Sequence, residues 1–469
     1  MELKYNTSAG VNVTELFKGD SQNSELFRYA EDKKLFSGEI GQVFTHLPFN
    51  SSKEAFLGLG NADEFIADTY REAYFKLLKD LIGKKEYEFT ISIQDDVELL
   101  KAVVEGLYHA TYEFDKYKTL KEDKEQIRVH INTQLSEKDF NMAVQEAKDV
   151  IDSIFFARDL VNERAEYLYP ETLANIAKEK LSAVGVDVKV YDEKQAEEMG
   201  LVAFLSVGRG SSRKPRFIVM KYLNNPDAEE VLGLVGKGVT YDTGGYSLKP
   251  SDSMTSMNSD MAGAATVIAA MELVAKRKLK TNLVAVVAAC ENMVSSSSYK
   301  PGDVIYSLSG KTIEVDNTDA EGRITLADAI YYTTKELGVT KVIDIATLTG
   351  ACLVALAEDY TGALSNKQDF FDDFKEAAKN AGERVWQMPM DNSYRERNKS
   401  RVADIKNTGG RFGGMITAGL FIEEFLADKN IPWIHLDIAG TSYLSMPYKY
   451  QPVNATGVHV KALYNLLNK

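Results

Sequence analysis

The heptad NTDAEGR, Asn317–Arg323, sets an acid, an acid and a base at alternate positions: Asp319, Glu321 and Arg323. In an extended backbone alternate side chains project to one side, so the three charges would share a face with only Ala320 and Gly322 between them. A second stretch, Val235–Ala265, carries Lys237, Asp242, Lys249 and Asp260 close together. Asp242 and Asp260 with Asp319 and Glu321 make four carboxylates, each just after an apolar strand or at a strand-to-helix handover. Gathered in one place they repel strongly unless cations offset them, and two divalent ions carry the matching charge. A metal pair of that kind activates water and polarises a carbonyl or phosphoryl oxygen, so the chemistry indicated is hydrolysis.

The segment GKGVT after an apolar run also has the look of a phosphate-binding loop. That loop needs a glycine five residues before its Gly-Lys-Ser/Thr; here Val231 stands in that place and Gly238 follows the lysine. Of the five histidines, His46, His109 and His130 fall in the first part of the chain, leaving His435 and His459 beside the carboxylates. A histidine-rich zinc site is therefore disfavoured, and His435, inside the apolar run WIHLDIAG, reads as a core residue. Carboxylate-rich sites suit Mn²⁺ and Mg²⁺ and also accept Zn²⁺ or Co²⁺.

Elements must position these groups. The run KTIEVD before the heptad alternates like a half-buried strand, and ITLADAIYYTTKEL after it has helical spacing, a usual place for ligands in open α/β sheets. Beyond Pro170, which marks a helix start, the apolar runs RFIVMKY, VLGLVGKGV, NLVAVVAAC, KVIDIATL and PWIHLDIAG recur with helical stretches between most of them. That pattern predicts a largely parallel sheet buried on both faces and flanked by helices. Upstream, QVFTHLPF, YEFTISI and QIRVHINTQ read as strands interleaved with helices such as ADEFIADTYREAYFKLLKDLI, and a helix from about Lys138 to Val161 follows. With 469 residues the expected plan is two α/β domains, 1–155 ending in a linker helix and 156–469 holding the site. A net charge of −14 argues against nucleic acid or an anionic membrane as main partner. The N-terminus lacks a signal pattern, and Cys290 and Cys352 sit in apolar surroundings, which suits free thiols in a cytoplasmic protein.

The stretches GKGVTYDTGGYSLKP and NTDAEGR resemble the two signatures of the leucyl (cytosol) aminopeptidases, the dinuclear metallopeptidases of family M17. The blocks ARDLVNE, FLSVGRGS, DMAGAA, ACENMV, KPGDVI, ATLTGA and HLDIAG match family blocks in order, from about Ala157 onward, whereas the first domain is similar only weakly, through YEFDKYK near its end. The resemblance implies one metal held by Lys237, Asp242, Asp260 and Glu321. It implies a second held by Asp242, Asp319 through side chain and carbonyl, and Glu321. Mn²⁺ or Zn²⁺ would be the ions, with Co²⁺ or Mg²⁺ as substitutes. It assigns Lys249 to the developing oxyanion and Arg323 to a bicarbonate acting as general base. It places Met257, Thr347, Gly350, Ala439 and Ser442 around the first side chain of the substrate. The implied protein is a cytoplasmic homohexamer, its N-terminal domain concerned with assembly, that removes N-terminal residues from peptides with a free α-amine.

The sequence departs from the family at Arg164, Thr243, Tyr246 and Asn258, none of them an implied ligand. Ser442 replaces a bulkier apolar residue of some members, which weakens any expectation of a leucine preference. Two alternatives stay open: a scaffold or regulatory binding protein that retains the site, and a two-metal phosphohydrolase.

Overall fold

In the computed structural model, which describes every residue except Asn23, Phe65, Glu122 and Lys469, the run carrying Lys237 and Asp242 is one long strand, Leu232–Asp242. Lys237 and Asp242 therefore do not follow the strand but lie within it, Asp242 as its last residue, and helices cover both of its faces. Val235 and Val239 pack on one side with Ile324 and Ile330 of helix Glu321–Glu336. On the other side a Cβ at Gly236 would come within 2.7 Å of Ala264 Cα, in helix Ala262–Lys276. Each fully buried Val or Ile contributes about 1.5–3 kcal/mol, so the two-sided cover holds the strand rigidly.

The chain divides into two compact units, Met1–Asp152 with Pro447–Gln451, and Ser153–Met446 with Pro452–Lys469. The first is built on strands β1 (Glu2–Tyr5), β2 (Val11–Leu16), β3 (Val43–His46), β4 (Glu54–Gly58), β5 (Glu88–Ser92) and β6 (Arg128–Asn132). They form one sheet in the order β1-β6-β5-β2-β4-β3, parallel except where β3 joins β4. Helices Ala67–Gly83 and Val97–His109 bury Leu77, Leu81, Val103 and Leu107 in its core. The runs expected to be strands became β3, β5 and β6; β1, β2 and β4 were not foreseen.

The second unit carries β7 (Asp187–Tyr191), β8 (Arg216–Leu223), β9 (Leu232–Asp242) and β10 (Asn282–Asn292), then the short β11 (Val304–Tyr306) and β12 (Thr312–Glu314). There follow β13 (Lys341–Ala346), β14 (Thr361–Ser365), β15 (Val385–Gln387), β16 (Ile405–Lys406) and β17 (Trp433–Asp437). The main sheet runs β15-β14-β17-β13-β9-β10-β8-β7. Its centre, β17-β13-β9-β10, is parallel, while β8 and β7 on one flank and the β14–β17 pairing on the other are antiparallel. A parallel centre gathers the C-terminal ends of β9, β10, β13 and β17 on one edge, where ligands bind in open α/β sheets. Asp242, Asn292 and Asp437 are the last residues of three of them. The fold is mixed α/β in both units. Among the described residues no helix is long and apolar enough to cross a membrane.

Candidate metal centre

Lys237 and Asp242 lie five apart on β9, and an odd spacing puts side chains on opposite faces of a regular strand. The pairing with β10 slips at this point: Val239 faces Cys290 and Tyr241 faces Glu291, so Thr240 is an extra residue. That bulge restores Lys237 and Asp242 to one side, in keeping with the preference of bulges for functional sites. Glycine makes room for the lysine, since a Cβ at Gly322 would lie 2.5 Å from Lys237 Cε and 2.7 Å from its Nζ.

Asp319 and Glu321 do share a side, but an extended backbone is not the reason. Residues 317–320 form a turn in which Ala320 N–H donates to Asn317 O at 3.2 Å and Asp319 N–H donates to Asn317 Oδ1 at 2.7 Å. The helix then begins at Glu321. A short strand, β12, ends at Glu314, too early to carry the triplet, and Asn and Asp side chains bonding to nearby N–H groups favour a turn. The outcome is convergence: carboxylate oxygens of Asp242, Asp319 and Glu321 lie within 4.8 Å of one another.

Two ammonium groups stand among them. Lys237 Nζ donates to Asp260 Oδ1 at 2.7 Å and to Thr347 O at 2.9 Å, and lies 2.8 Å from Glu321 Oε1. Lys249 Nζ is 2.9 Å from Asp242 Oδ2 and 2.5 Å from Asp319 Oδ1. Were all four carboxylates ionised, they would exceed the two ammoniums by two negative charges. Burial, followed by the neighbouring acids, pushes Asp242 well above the usual carboxylate range. Burial raises Asp260 to about 7 against the pull of Lys237, and burial with the charge of Glu321 raises Asp319. Burial also opposes ionisation of Glu321, but Lys237 and Lys249 outweigh it and hold that carboxyl below its ordinary value. Both lysines are raised, since the surrounding acids overcome burial.

The donor set fits divalent cations. Among the described residues, Asp260 Oδ2 is buried with no hydrogen-bond partner, and Glu321 Oε1 and Asp319 Oδ1 have only an ammonium beside them, outside hydrogen-bond geometry. Buried acceptors without donors are costly, and cations satisfy them while cancelling the excess charge. Arg323 is buried with its Nη1 donating to Asn407 O at 2.8 Å and, among the described residues, its Nε unpartnered, an arrangement that fits a small planar anion. Burial pulls its guanidinium down to about 10, so it stays charged at neutral pH.

Of the residues expected around the substrate, Thr347 turns its hydroxyl onto Asp260 Oδ1 at 2.8 Å, and Ala439 N–H donates to Asp437 Oδ1 at 3.2 Å. Gly350 opens helix Gly350–Leu356, with empty space where a Cβ would sit. Met257 begins the 3₁₀ turn Met257–Ser259 just before Asp260 and is half-buried. Ser442 is buried, its N–H bonded to Ile438 O and its Oγ without a partner. Asn258, in place of the family's common lysine, donates from Nδ2 to Val161 O and Glu163 O. His435 is fully buried with Nδ1 2.6 Å from Asp344 Oδ1, while its Nε2 has no partner.

Three polar residues of the site escaped the sequence reading. Asn292 Nδ2 donates to Asp242 Oδ1 and to Thr318 O, each within 2.9 Å, tying the two acidic stretches together. Asn407 clamps the heptad: its Oδ1 accepts from Asp316 N and its Nδ2 donates to Asn317 O. Asp437 accepts from the backbone of Leu348, Thr349 and Ala439. Two of the three are neutral amides, and nothing in their spacing marks any of them.

A carboxylate cluster at the C-terminal edge of a parallel sheet, with lysines in reach, is a donor set of the kind that suits divalent cations. The cytosol aminopeptidase family models match this chain twice, the catalytic domain over residues 155–464 and the N-terminal domain over 13–121. The chain belongs to the cytosol aminopeptidase family. It is 46% identical to a probable cytosol aminopeptidase of Treponema denticola over the whole of both chains. To that of Clostridium tetani it is also 46% identical, covering 94% of this chain and 93% of the relative. Among solved structures, the bottromycin maturation enzyme BotP in complex with Mn superposes with a TM-score of 0.89 at 30% identity, covering 98% of this chain and 99% of that one. Family membership supports aminopeptidase activity on peptides.

Proposed function

We propose that the chain is a dinuclear metallo-aminopeptidase that removes N-terminal residues from peptides bearing a free α-amine. The observation that carries this reading is the convergence of Asp242, Asp319 and Glu321 within 4.8 Å, with Lys237 reaching both Asp260 and Glu321. Lys237, as the neutral amine it becomes once a dication displaces its proton, would with Asp242, Asp260 and Glu321 hold one divalent ion, and Asp242, Asp319 and Glu321 the other. Mn²⁺ fits the oxygen-rich set, Zn²⁺ being the runner-up. When bound, such a pair supplies a nucleophile from water at neutral pH and polarises the scissile carbonyl.

The chain's own residues do the rest. Lys249, raised and therefore protonated, presents its ammonium beside Asp242 and Asp319, where negative charge on the substrate oxygen grows. Arg323, whose Nη1 is taken by Asn407 O, would hold a bicarbonate through its remaining N–H groups, and that anion would supply a general base when bound. Asn292 and Gly244 N–H fix Asp242 Oδ1 by hydrogen bonds of 2.8 Å each, so this carboxylate cannot rotate away. Thr347, Gly350, Ala439, Met257 and Ser442 surround the first side chain. A cytoplasmic setting and assembly as a homohexamer belong to the same reading, and light scattering on the purified protein checks the assembly.

The test compares turnover of a leucyl anilide, its N-acetylated form and a phosphate ester, before and after chelation. Cleavage of the free-amine substrate alone, abolished by chelator and restored by Mn²⁺, is the expected outcome. Equal rates on free and capped substrates, or turnover that survives chelation, would sink the reading.

A further inference from the structure

Thr347 follows the last residue of β13 and touches both members of the Lys237–Asp260 pair. Its carbonyl accepts from Lys237 Nζ at 2.9 Å, and its hydroxyl lies 2.8 Å from Asp260 Oδ1 and 3.1 Å from the Asp260 carbonyl. Two N–H bonds of Lys237 are thus directed at Asp260 Oδ1 and Thr347 O, and the remaining side of the nitrogen faces Glu321 Oε1. On Asp260 both hydrogen bonds fall on Oδ1, which leaves Oδ2 buried and free to meet a cation.

Thr347 is not held by its own strand alone. Asp437, at the end of the neighbouring β17 and fully buried, accepts from Leu348 N at 3.1 Å, Thr349 N at 3.4 Å and Ala439 N at 3.2 Å. Its other oxygen accepts from Thr349 Oγ1 at 2.6 Å, and that hydroxyl in turn accepts from Cys352 N at 3.0 Å, capping helix Gly350–Leu356. One carboxylate therefore gathers the residues just after Thr347 against a rigid strand.

We infer that Thr347, anchored through Asp437, is a positioning residue that aims Lys237 and Asp260 at a single cation. Outer groups of this kind orient ligands and typically govern metal affinity by 10–100-fold. The inference rests on the metallopeptidase reading above. It assigns Thr347 a task beyond bordering the substrate: its hydroxyl selects which oxygen of Asp260 is available, and its carbonyl sets the direction of Lys237.

The experiment titrates Mn²⁺ into the chelator-stripped full chain by calorimetry. Thr347→Val keeps the volume and the carbonyl but loses the hydroxyl, and it is expected to weaken one of the two sites by roughly 10–100-fold while leaving the other unchanged. Thr347→Ser, which keeps the hydroxyl, restores the wild-type affinity, and Asp437→Asn weakens the same site as Thr347→Val. Circular dichroism melts identify any variant that loses its fold, and the near-isosteric Thr347→Val decides should Asp437→Asn do so. Wild-type affinity at both sites of Thr347→Val, or a Thr347→Ser as weak as the valine, overturns the inference. A wild-type protein that binds no Mn²⁺ overturns the metallopeptidase reading as well.

Discussion

Gly322→Ala adds one methyl group and should disable Lys237 while leaving that residue itself unmutated. The new Cβ would stand 2.5 Å from Lys237 Cε and 2.7 Å from Nζ, whereas carbon atoms rest at about 3.5–4.0 Å. The tip of the lysine must retreat by about 1 Å. Its 2.7 Å bond to Asp260 Oδ1 and 2.8 Å contact with Glu321 then pass out of hydrogen-bond range. A ligand displaced this far no longer aims its lone pair at the ion, and loss of ligand orientation typically weakens metal affinity by roughly 10–100-fold. The helix itself should not suffer, because Gly322 lies in the first turn of helix Glu321–Glu336 and alanine is the better helix former. Mn²⁺ titration of the stripped protein, run beside a thermal melt, reads both effects. Weakened binding at one site with unchanged or raised melting temperature is expected. Gly322→Ala that binds both ions like wild type would refute the placement of Lys237 as a ligand.

Other perturbations separate the remaining roles. Glu321→Ala removes a ligand shared by both ions, so metal analysis should show reduced occupancy and turnover should vanish; two retained equivalents with near-normal rate would contradict the assignment. Lys249→Ala should lower kcat by roughly 10²–10³-fold, as for loss of an oxyanion donor, while metal content stays at two; a variant that loses metal instead makes Lys249 a ligand. In the N-terminal unit, burial raises Glu15 on β2 to about 7 despite hydrogen bonds from Tyr74 and Tyr70. The folded state therefore holds this proton more tightly than the unfolded chain. Its stabilising effect is complete below about pH 4.5 and is lost as pH rises through about 7, by at most about 3 kcal/mol. From pH 5 to pH 8 the melting temperature of wild type should fall more than that of Glu15→Gln; parallel curves would exclude the shift.

How far the sequence alone reaches can be judged at individual residues. The carboxylates Asp242, Asp319 and Glu321 could be singled out because charge beside apolar strands is conspicuous, and the structure brings them together. Alternating apolar runs and helices likewise signalled the central parallel strands, whose two-sided burial removes polar positions. The route to convergence was not legible. The bulge at Thr240 depends on how β9 pairs with β10, and the turn at Asn317–Ala320 replaces the extended backbone that the alternation suggested. Asn292, Asn407 and Asp437 act across 50, 84 and 89 positions of sequence, respectively, on Asp242, Arg323 and Leu348. Such contacts leave no periodic trace.

The central claim is that two divalent ions in this carboxylate cluster carry peptide cleavage. The most direct measurement adds Mn²⁺ stepwise to the chelator-stripped protein and records bound metal and leucyl anilide turnover at every step. Turnover should be absent from the stripped protein and reach its plateau only as bound metal approaches two equivalents per chain. Full turnover with no metal bound, or a plateau at two equivalents with no turnover at all, would contradict it.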